Sequence, residues 1–216
     1  MSIGPAVRRA MGPIEAPVSN AYRAMFLDVG ALGRDIAAID FGPRVLEVGV
    51  GDGLIAGQIV SHRSDATVLG IDLITNPGVH FDADRSRAEF RTQSTSELLA
   101  EGPAPFDTVV IADVLHHVPP TERVALLADV DALLDPNGVL LVKETVVVRS
   151  PGYWMGHFSD RFITGDKGVS FLTEPDLRRL VTTSVAGLQL CARSTIRPWR
   201  TNLLLAWRRG SGTIEQ

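Results

Sequence analysis

The chain has 216 residues, a length for one domain or one domain with a small attached element, and enough to bury a sizeable core. It is 45% hydrophobic and 21% charged, ordinary proportions for a soluble globular protein, and its net charge of -4 excludes the basic footprint of a nucleic-acid binder. A single cysteine, Cys191, excludes an intramolecular disulfide; in the apolar run from Leu188 to Ala192 it is expected as a buried small hydrophobe.

The first fifteen residues carry Gly4, Pro5, Gly12 and Pro13 and read as a loose arm. Arg8 and Arg9 precede no apolar core of the kind a signal peptide needs, and no run approaches the ~20 apolar residues of a membrane span. A cytoplasmic protein without a membrane span is expected. From Ala16 to Ile39 the residues Tyr22, Met25, Phe26, Val29, Leu32, Ile36 and Ile39 recur at threes and fours, an amphipathic helix with a break expected near Gly30 or Gly33. Gly42-Pro43 punctuates it.

Five short runs then read as buried strands: Arg44–Val48, Thr67–Ile71, Ala88–Arg91, Thr108–Ala112 and Val139–Val142. Several are apolar throughout, as in a parallel sheet covered on both faces. Helical stretches separate most of them, at Leu54–Ser61, Ser96–Ala100 and Thr121–Leu134, the last stopped by Pro136-Asn137-Gly138. Alternating strand and helix predicts a doubly wound α/β sheet. From Ser150 to Ser170 the chain is rich in glycine, aromatics and histidine, without a clear period. A helix follows, with Thr173 as N-cap, Pro175 just inside, and Leu177, Leu180 and Val181 facing the core. Leu188–Ser194 and Leu203–Trp207 read as a closing pair of strands, and the Arg-Arg-Gly-Ser-Gly-Thr tail from Arg208 to Thr213 as disordered. The arginine pairs at 8–9, 178–179 and 208–209 read as solvated surface.

The segment Glu47-Val48-Gly49-Val50-Gly51-Asp52-Gly53 joins a buried strand to a helix. Alternate glycines permit a sharp turn with positive φ and leave the backbone open to a ligand beside a helix N-terminus. A dinucleotide turn needs G-x-G-x-x-G, but Leu54 stands where the third glycine belongs. Glu47 would repel a pyrophosphate and suits a ligand with positive groups. Val68-Leu69-Gly70-Ile71-Asp72 ends a second strand on a carboxylate, nineteen residues after Gly53, where an acid can accept hydrogen bonds from ribose hydroxyls.

The first of these segments resembles the E/D-x-G-x-G-x-G motif of the class I S-adenosylmethionine methyltransferases, a resemblance to the small-molecule, type 11/UbiE-like group. Phe106 to Pro119, with its Leu115-His116-His117 turn, is similar to that family's fourth motif, and Leu133-Leu134-Asp135-Pro136-Asn137-Gly138 to the turn before its fifth strand, with Asn137 replacing a glycine and tolerating positive φ. The matches span about residues 41 to 145. The resemblance implies a mostly parallel, seven-stranded Rossmann-like sheet with helices on both faces and an antiparallel last strand. Residues 1–40 would form an arm and lid helix, with Tyr22 and Arg23 near the methionine end of the cofactor. Residues 41–210 would form the methyltransferase domain, with an acceptor-pocket insertion near 146–172.

The resemblance also implies S-adenosyl-L-methionine as cofactor, held by Glu47, Gly49, Gly51, Gly53, Asp72, Leu73 and Asp113. Ser94 or Thr95 stands where the family often has an acid for the adenine amino group, although capping of a helix by Ser94 or Ser96 explains them equally well. Methyl transfer needs alignment more than covalent help, so a base matters only for a protonated nucleophile. His116, His117 and Glu144 lie at the carboxyl edge of the strands, and in similar small-molecule O-methyltransferases a histidine of this turn works with an acid after strand five. Bracing of the turn is the other use of the histidines. A metal site of His116, His117 and Asp113 is not expected, because adjacent histidines point apart and no third ligand has metal spacing. Gly152 to Phe162, with His157 and Asp160, falls where the family builds its acceptor pocket. The expected function is methylation of a small-molecule hydroxyl, with no nucleic-acid partner and the oligomeric state open. A non-catalytic cofactor-binding partner and a nicotinamide-dependent oxidoreductase are the alternatives.

Overall fold

A computed structural model of the chain describes residues 27–147, 169–197 and 201–210. The elements run α1 (Val29–Ala37), β1 (Arg44–Val48), α2 (Leu54–His62), β2 (Thr67–Asp72), β3 (Ala88–Thr92), α3 (Thr95–Ala100), β4 (Phe106–Ala112), α4 (Arg123–Leu133), β5 (Leu134–Thr145), α5 (Glu174–Ser184), β6 (Leu188–Ile196) and β7 (Asn202–Arg209). They form one seven-stranded sheet in the order β3-β2-β1-β4-β5-β7-β6. The first five strands pair in parallel, and β7 runs antiparallel between β5 and β6. The expected architecture is therefore the observed one.

Strand alternation divides the core in two. Leu46, Val109, Leu140, Val142 and Leu205 face α3, α4 and α5, where they meet Leu98, Leu127, Val130, Leu177 and Val181. Val45, Val110, Leu141, Leu204 and Ala206 face the other way, onto Leu32 and Ile36 of α1 and Ala56, Ile59 and Val60 of α2. Local chemistry sets the helix starts. Asp28 accepts the Ala31 N–H to cap α1, Ser94 and Glu97 form a capping box on α3, and Thr173 caps α5 with Pro175 in its first turn.

The structure corrects several local expectations. α1 starts at its Asp28 cap and passes through Gly30 and Gly33 unbroken; the expected helical stretch from Ala16 to Phe26 lies outside the described residues. Gly33 serves packing instead, since a Cβ there would come within 2.3 Å of Gln58 Oε1 on α2. α4 stops at Leu133 as expected, and Pro136-Asn137-Gly138 turns within the span of β5 rather than ahead of it. β5 begins directly at Leu134, and a register shift between Phe106 and Thr108 on β4 absorbs those residues as a bulge. Asn137 is not among the residues with positive φ; its N–H is taken by Asp135 in an Asx turn. Cys191 is exposed rather than buried, because β6 is the sheet edge and Cys191 falls at its own register shift, between Leu190 and Ala192. Arg209 is not free surface: its guanidinium binds the Asp131 carboxylate and the Asp131 and Leu134 carbonyls, tying β7 to the α4–β5 junction. Arg208 and Arg209 close β7 instead of opening a disordered tail, because they pair with β5 and β6. The predicted arm, residues Tyr22 and Arg23, the stretch from Gly152 to Phe162 with His157 and Asp160, and the tail beyond Gly210 lie outside the described residues.

Leu127 is 0% exposed while Val124, three residues earlier on α4, is 56% exposed. Leu127→Ala is expected to cost about 2–5 kcal/mol in urea unfolding, and Val124→Ala less than about 0.5 kcal/mol. Equal effects would show that α4 docks by a different face.

Candidate functional site

The carboxyl ends of β1, β2, β4 and β5 converge on one rim of the sheet, where ligands of open α/β folds bind. The glycine turn follows β1. Gly49, Gly51 and Gly53 all have positive φ, at 71°, 54° and 88°. The outer two glycines each have a close neighbour. A Cβ on Gly49 would come within 2.2 Å of Val114 Cγ2, and one on Gly53 within 2.9 Å of the Gly78 Cα, but one on Gly51 would meet nothing within 4 Å among the described residues. Among those residues the middle of the turn is open, as a ligand cradle requires.

Neighbouring strands hold this turn. Gly49 and Val50 donate to the Ile71 carbonyl, and Gly51 N–H donates to Asp72 Oδ2 at 2.7 Å. The other Asp72 oxygen takes the Ile74 N–H at 3.1 Å. A carboxylate has about four lone-pair positions, so Asp72 retains capacity for hydroxyl donors. Leu73, beside it, is 76% exposed, an apolar side chain presented to solvent at the rim. The loop after β2 folds back on the turn, with Gly78 N–H donating to Gly51 O and His80 N–H to Asp52 O.

Glu47 is not displayed on the turn's surface as an open carboxylate. It is 1% exposed, beneath the turn on the α1–α2 face, and takes the Ala56 N–H. Burial, with the charge of Asp52 and less so of Asp72, raises its pKa well above the ordinary carboxyl value. Its Oε2 has no hydrogen-bond partner among the described residues. The hydroxyls proposed for adenine have structural partners: Ser94 is spent on the α3 capping box, and Thr95 is buried and donates to Asp129 on α4 at 2.8 Å.

The β4–α4 turn forms the second half of the rim. Glu144, buried at the end of β5, is its hub. Oε1 accepts the Val114 N–H at 3.0 Å and the Leu115 N–H at 2.7 Å, while Oε2 lies 2.6 Å from His116 Nδ1. An ionised carboxylate only accepts, so Nδ1 donates and Nε2 carries the lone pair of the neutral ring. Burial alone would lower the His116 pKa, but its hydrogen bond to Glu144 and the charges of Glu144 and Asp113 outweigh burial and raise it. Phe171 stacks on His116, with ring centroids 5.0 Å apart. His117 is exposed, 4.2 Å away by the same measure. Asp113 has φ of 55° and pairs with Lys143.

The structure thus brings His116, Glu144 and Asp113 together at one edge, opposite Gly49, Gly51, Gly53 and Asp72. Lys143, Arg123 and Phe171 take part without having been singled out in the sequence. Arg123 is buried at the start of α4 and donates to the Val118 and Ser170 carbonyls, while the Ser170 N–H donates to His116 O. The available signal was the pair Lys143-Glu144, two charges closing an otherwise apolar strand. Among the described residues, Asp113, His116 and Glu144 hold ligand-type atoms within 4.8 Å, the spacing of a metal site. The Lys143 ammonium already balances Asp113, and Glu144 already receives three N–H donors. A depression of about 310 Å³ lies at the opposite end of the strands, but its Arg44 and Arg87 are spent on backbone carbonyls.

Residues 46–140 match the family profile described as methyltransferase domain. A ubiquinone biosynthesis O-methyltransferase of Xylella fastidiosa is 34% identical over 103 residues, covering 47% of this chain and 41% of that protein. One from Xanthomonas campestris pv. campestris is 27% identical over 176 residues, covering 77% of this chain and 72% of that protein. The chain spans less than half the length of the Xylella relative. Among solved structures, an O-methyltransferase family protein from Burkholderia thailandensis aligns with a TM-score of 0.70 at 19% identity, over 98% of this chain and 64% of that one. A 1,6-didemethyltoxoflavin-N1-methyltransferase from Burkholderia thailandensis, solved with S-adenosylhomocysteine, aligns at 0.61 and 18%, over 94% of this chain and 87% of that one. With the sheet order and these structural similarities, the chain has the fold of these methyltransferases, and its residues 46–140 match the methyltransferase domain profile.

Proposed function

We propose that this chain transfers a methyl group from S-adenosylmethionine to a hydroxyl of a small molecule, with His116 as the base. The observation that carries this reading is the buried His116–Glu144 pair, set across the rim from a glycine turn whose centre is open. The O-methyltransferase relatives support oxygen as the acceptor atom.

The residues present fit the cofactor. Gly51 leaves room for a ligand against the backbone, Asp72 has lone pairs for two hydroxyls, and Leu73 offers an exposed apolar surface for a flat base. The unpartnered Glu47 oxygen offers an acceptor beneath the turn. Bound there, the cofactor supplies a methyl group on a positively charged sulfur, already activated for displacement. The protein then has to align the acceptor and take its proton. Glu144 fixes the His116 tautomer, so that Nε2 accepts the hydroxyl proton, and stabilises the imidazolium that forms. Fixed orientation of the reacting groups can contribute ~7–11 kcal/mol. The alternative of a non-catalytic cofactor-binding protein would keep the glycine turn but make no use of the His116–Glu144 pair.

Gly51→Val places a branched side chain in the open space of the turn, so binding of S-adenosylhomocysteine by calorimetry is expected to vanish while the circular dichroism spectrum stays that of a folded chain. Retained affinity would refute this placement of the cofactor.

His116→Ala is expected to lower kcat by about 10²–10⁴-fold with little change in S-adenosylhomocysteine affinity. Only neutral His116 accepts a proton, so kcat/KM should rise with pH through a value above the ordinary histidine 6.5. Glu144→Gln removes the group that opposes burial and should move this limb to lower pH. The linked stability has the opposite course: the imidazolium–Glu144 pair contributes fully below pH 6.5 and fades as pH rises through the raised value.

Glu47 is held above its ordinary 4.5, so its ionisation opposes folding as pH rises from there through the raised value. Glu47→Gln should therefore stabilise the ligand-free chain at pH 8 and make no difference at pH 4, by thermal unfolding. Weaker cofactor binding in the same variant would tie this carboxyl to the ligand; a destabilised variant at pH 8 would refute the burial argument.

A further inference from the structure

β5 closes on two consecutive buried charges, and strand alternation sends them to opposite faces of the sheet. Glu144 shares the face of Leu140 and Val142, and Lys143 the face of Val139 and Leu141. Both reach the same neighbouring turn. Glu144 takes the Val114 and Leu115 amides and the His116 ring, while the Lys143 ammonium takes the Asp113 carboxylate from the other side. The Lys143 side chain is 2% exposed, and Asp113 supplies the carboxylate among the described residues that pairs with it.

Asp113 also departs from ordinary backbone. Its φ of 55° is left-handed, a region that residues with a Cβ enter seldom and Asp more readily than most. Its N–H donates to Lys143 O at 2.8 Å, so Lys143 holds both ends of this residue. The left-handed step directs the chain from β4 into the turn, where Val114 packs over Gly49 and His116 reaches Glu144. No feature of the proposed methyl transfer uses Lys143 directly.

We propose that Lys143 is a positioning residue, whose buried ammonium locks Asp113 in its left-handed conformation and, with it, sets the charge balance under the His116–Glu144 pair. The inference rests on the reading of His116 as the base only for its consequence on turnover; the electrostatic link itself is independent of any reaction. The charged and titratable groups around His116 are Glu144 and Lys143 from β5, Asp113 and His117 from its own turn, and Arg123 from α4, whose charge acts on Glu144. Phe171, stacked on the ring, carries no charge. Lys143 opposes protonation of His116 and Asp113 favours it.

The two partners therefore have opposite signatures. The full chain is titrated by NMR, with the His116 side-chain signal assigned by its loss in His116→Gln. Lys143→Met should raise the His116 midpoint, and Asp113→Asn should lower it. The double variant should fall between them. Shifts in the same direction, or none, would overturn the proposal, since a purely structural filler would not produce opposite signs. Should Lys143→Met fail to fold, Asp113→Asn alone decides: a fall supports the proposal and a rise or no change overturns it. Because the titration needs neither cofactor nor acceptor, a chain inactive in methyl transfer would still report on Lys143. An active chain without these shifts would reject Lys143's role and leave the methyl-transfer reading standing.

Discussion

Two charges buried at the end of one strand govern the geometry of this rim. Removing a single ion from water costs several kcal/mol in a protein interior, so Lys143 and Glu144 are tolerable only because each finds a dedicated partner. Their partners are successive pieces of the β4–α4 turn. The turn is therefore held from both faces of the sheet, by a cation on one side and an anion on the other. A side chain whose orientation depends on a single hydrogen bond could swing; His116 is also stacked on Phe171, and its backbone carbonyl accepts from Ser170.

The glycine turn is organised by a different economy. Its backbone carries no charge of its own, and it is shaped by close approach. Val114 and Gly78 fill the spaces over the outer two glycines, leaving the middle one open. Val114 belongs to the same turn that Lys143 and Glu144 fasten. The donor side and the acceptor side of the proposed reaction consequently touch where Val114 packs over Gly49, at the ends of two paired strands.

Much of this was legible in the sequence because the sheet interior writes itself in long apolar runs. β1 and the start of β2 emerge from composition alone, and the glycine spacing with Asp72 marks the rim. Edge and junction features were not legible. Cys191 looks buried by its neighbours, but burial at an edge strand depends on which face the bulge presents. Pro136-Asn137-Gly138 has the chemistry of a turn and lies inside the span of β5, because Leu134 before it and Val139 after it both pair with β4, a tertiary choice that local propensity cannot express. Thr95 was a candidate ligand by position, whereas its partner Asp129 lies on a helix 34 residues away. Lys143 was hidden because its importance comes from Asp113, on another strand's end.

The contact between Gly53 and Gly78 carries a consequence of its own. Two loops separated in sequence approach within the reach of a methyl group, and two main-chain hydrogen bonds stitch them together, Gly78 to Gly51 and His80 to Asp52. Neither loop is then a free module. A chimera that imported the glycine turn of a relative while keeping the native 76–81 segment would bring mismatched surfaces together at the tightest point. Recombination or library design at this rim has to treat 49–53 and 76–81 as one cassette, inherited together.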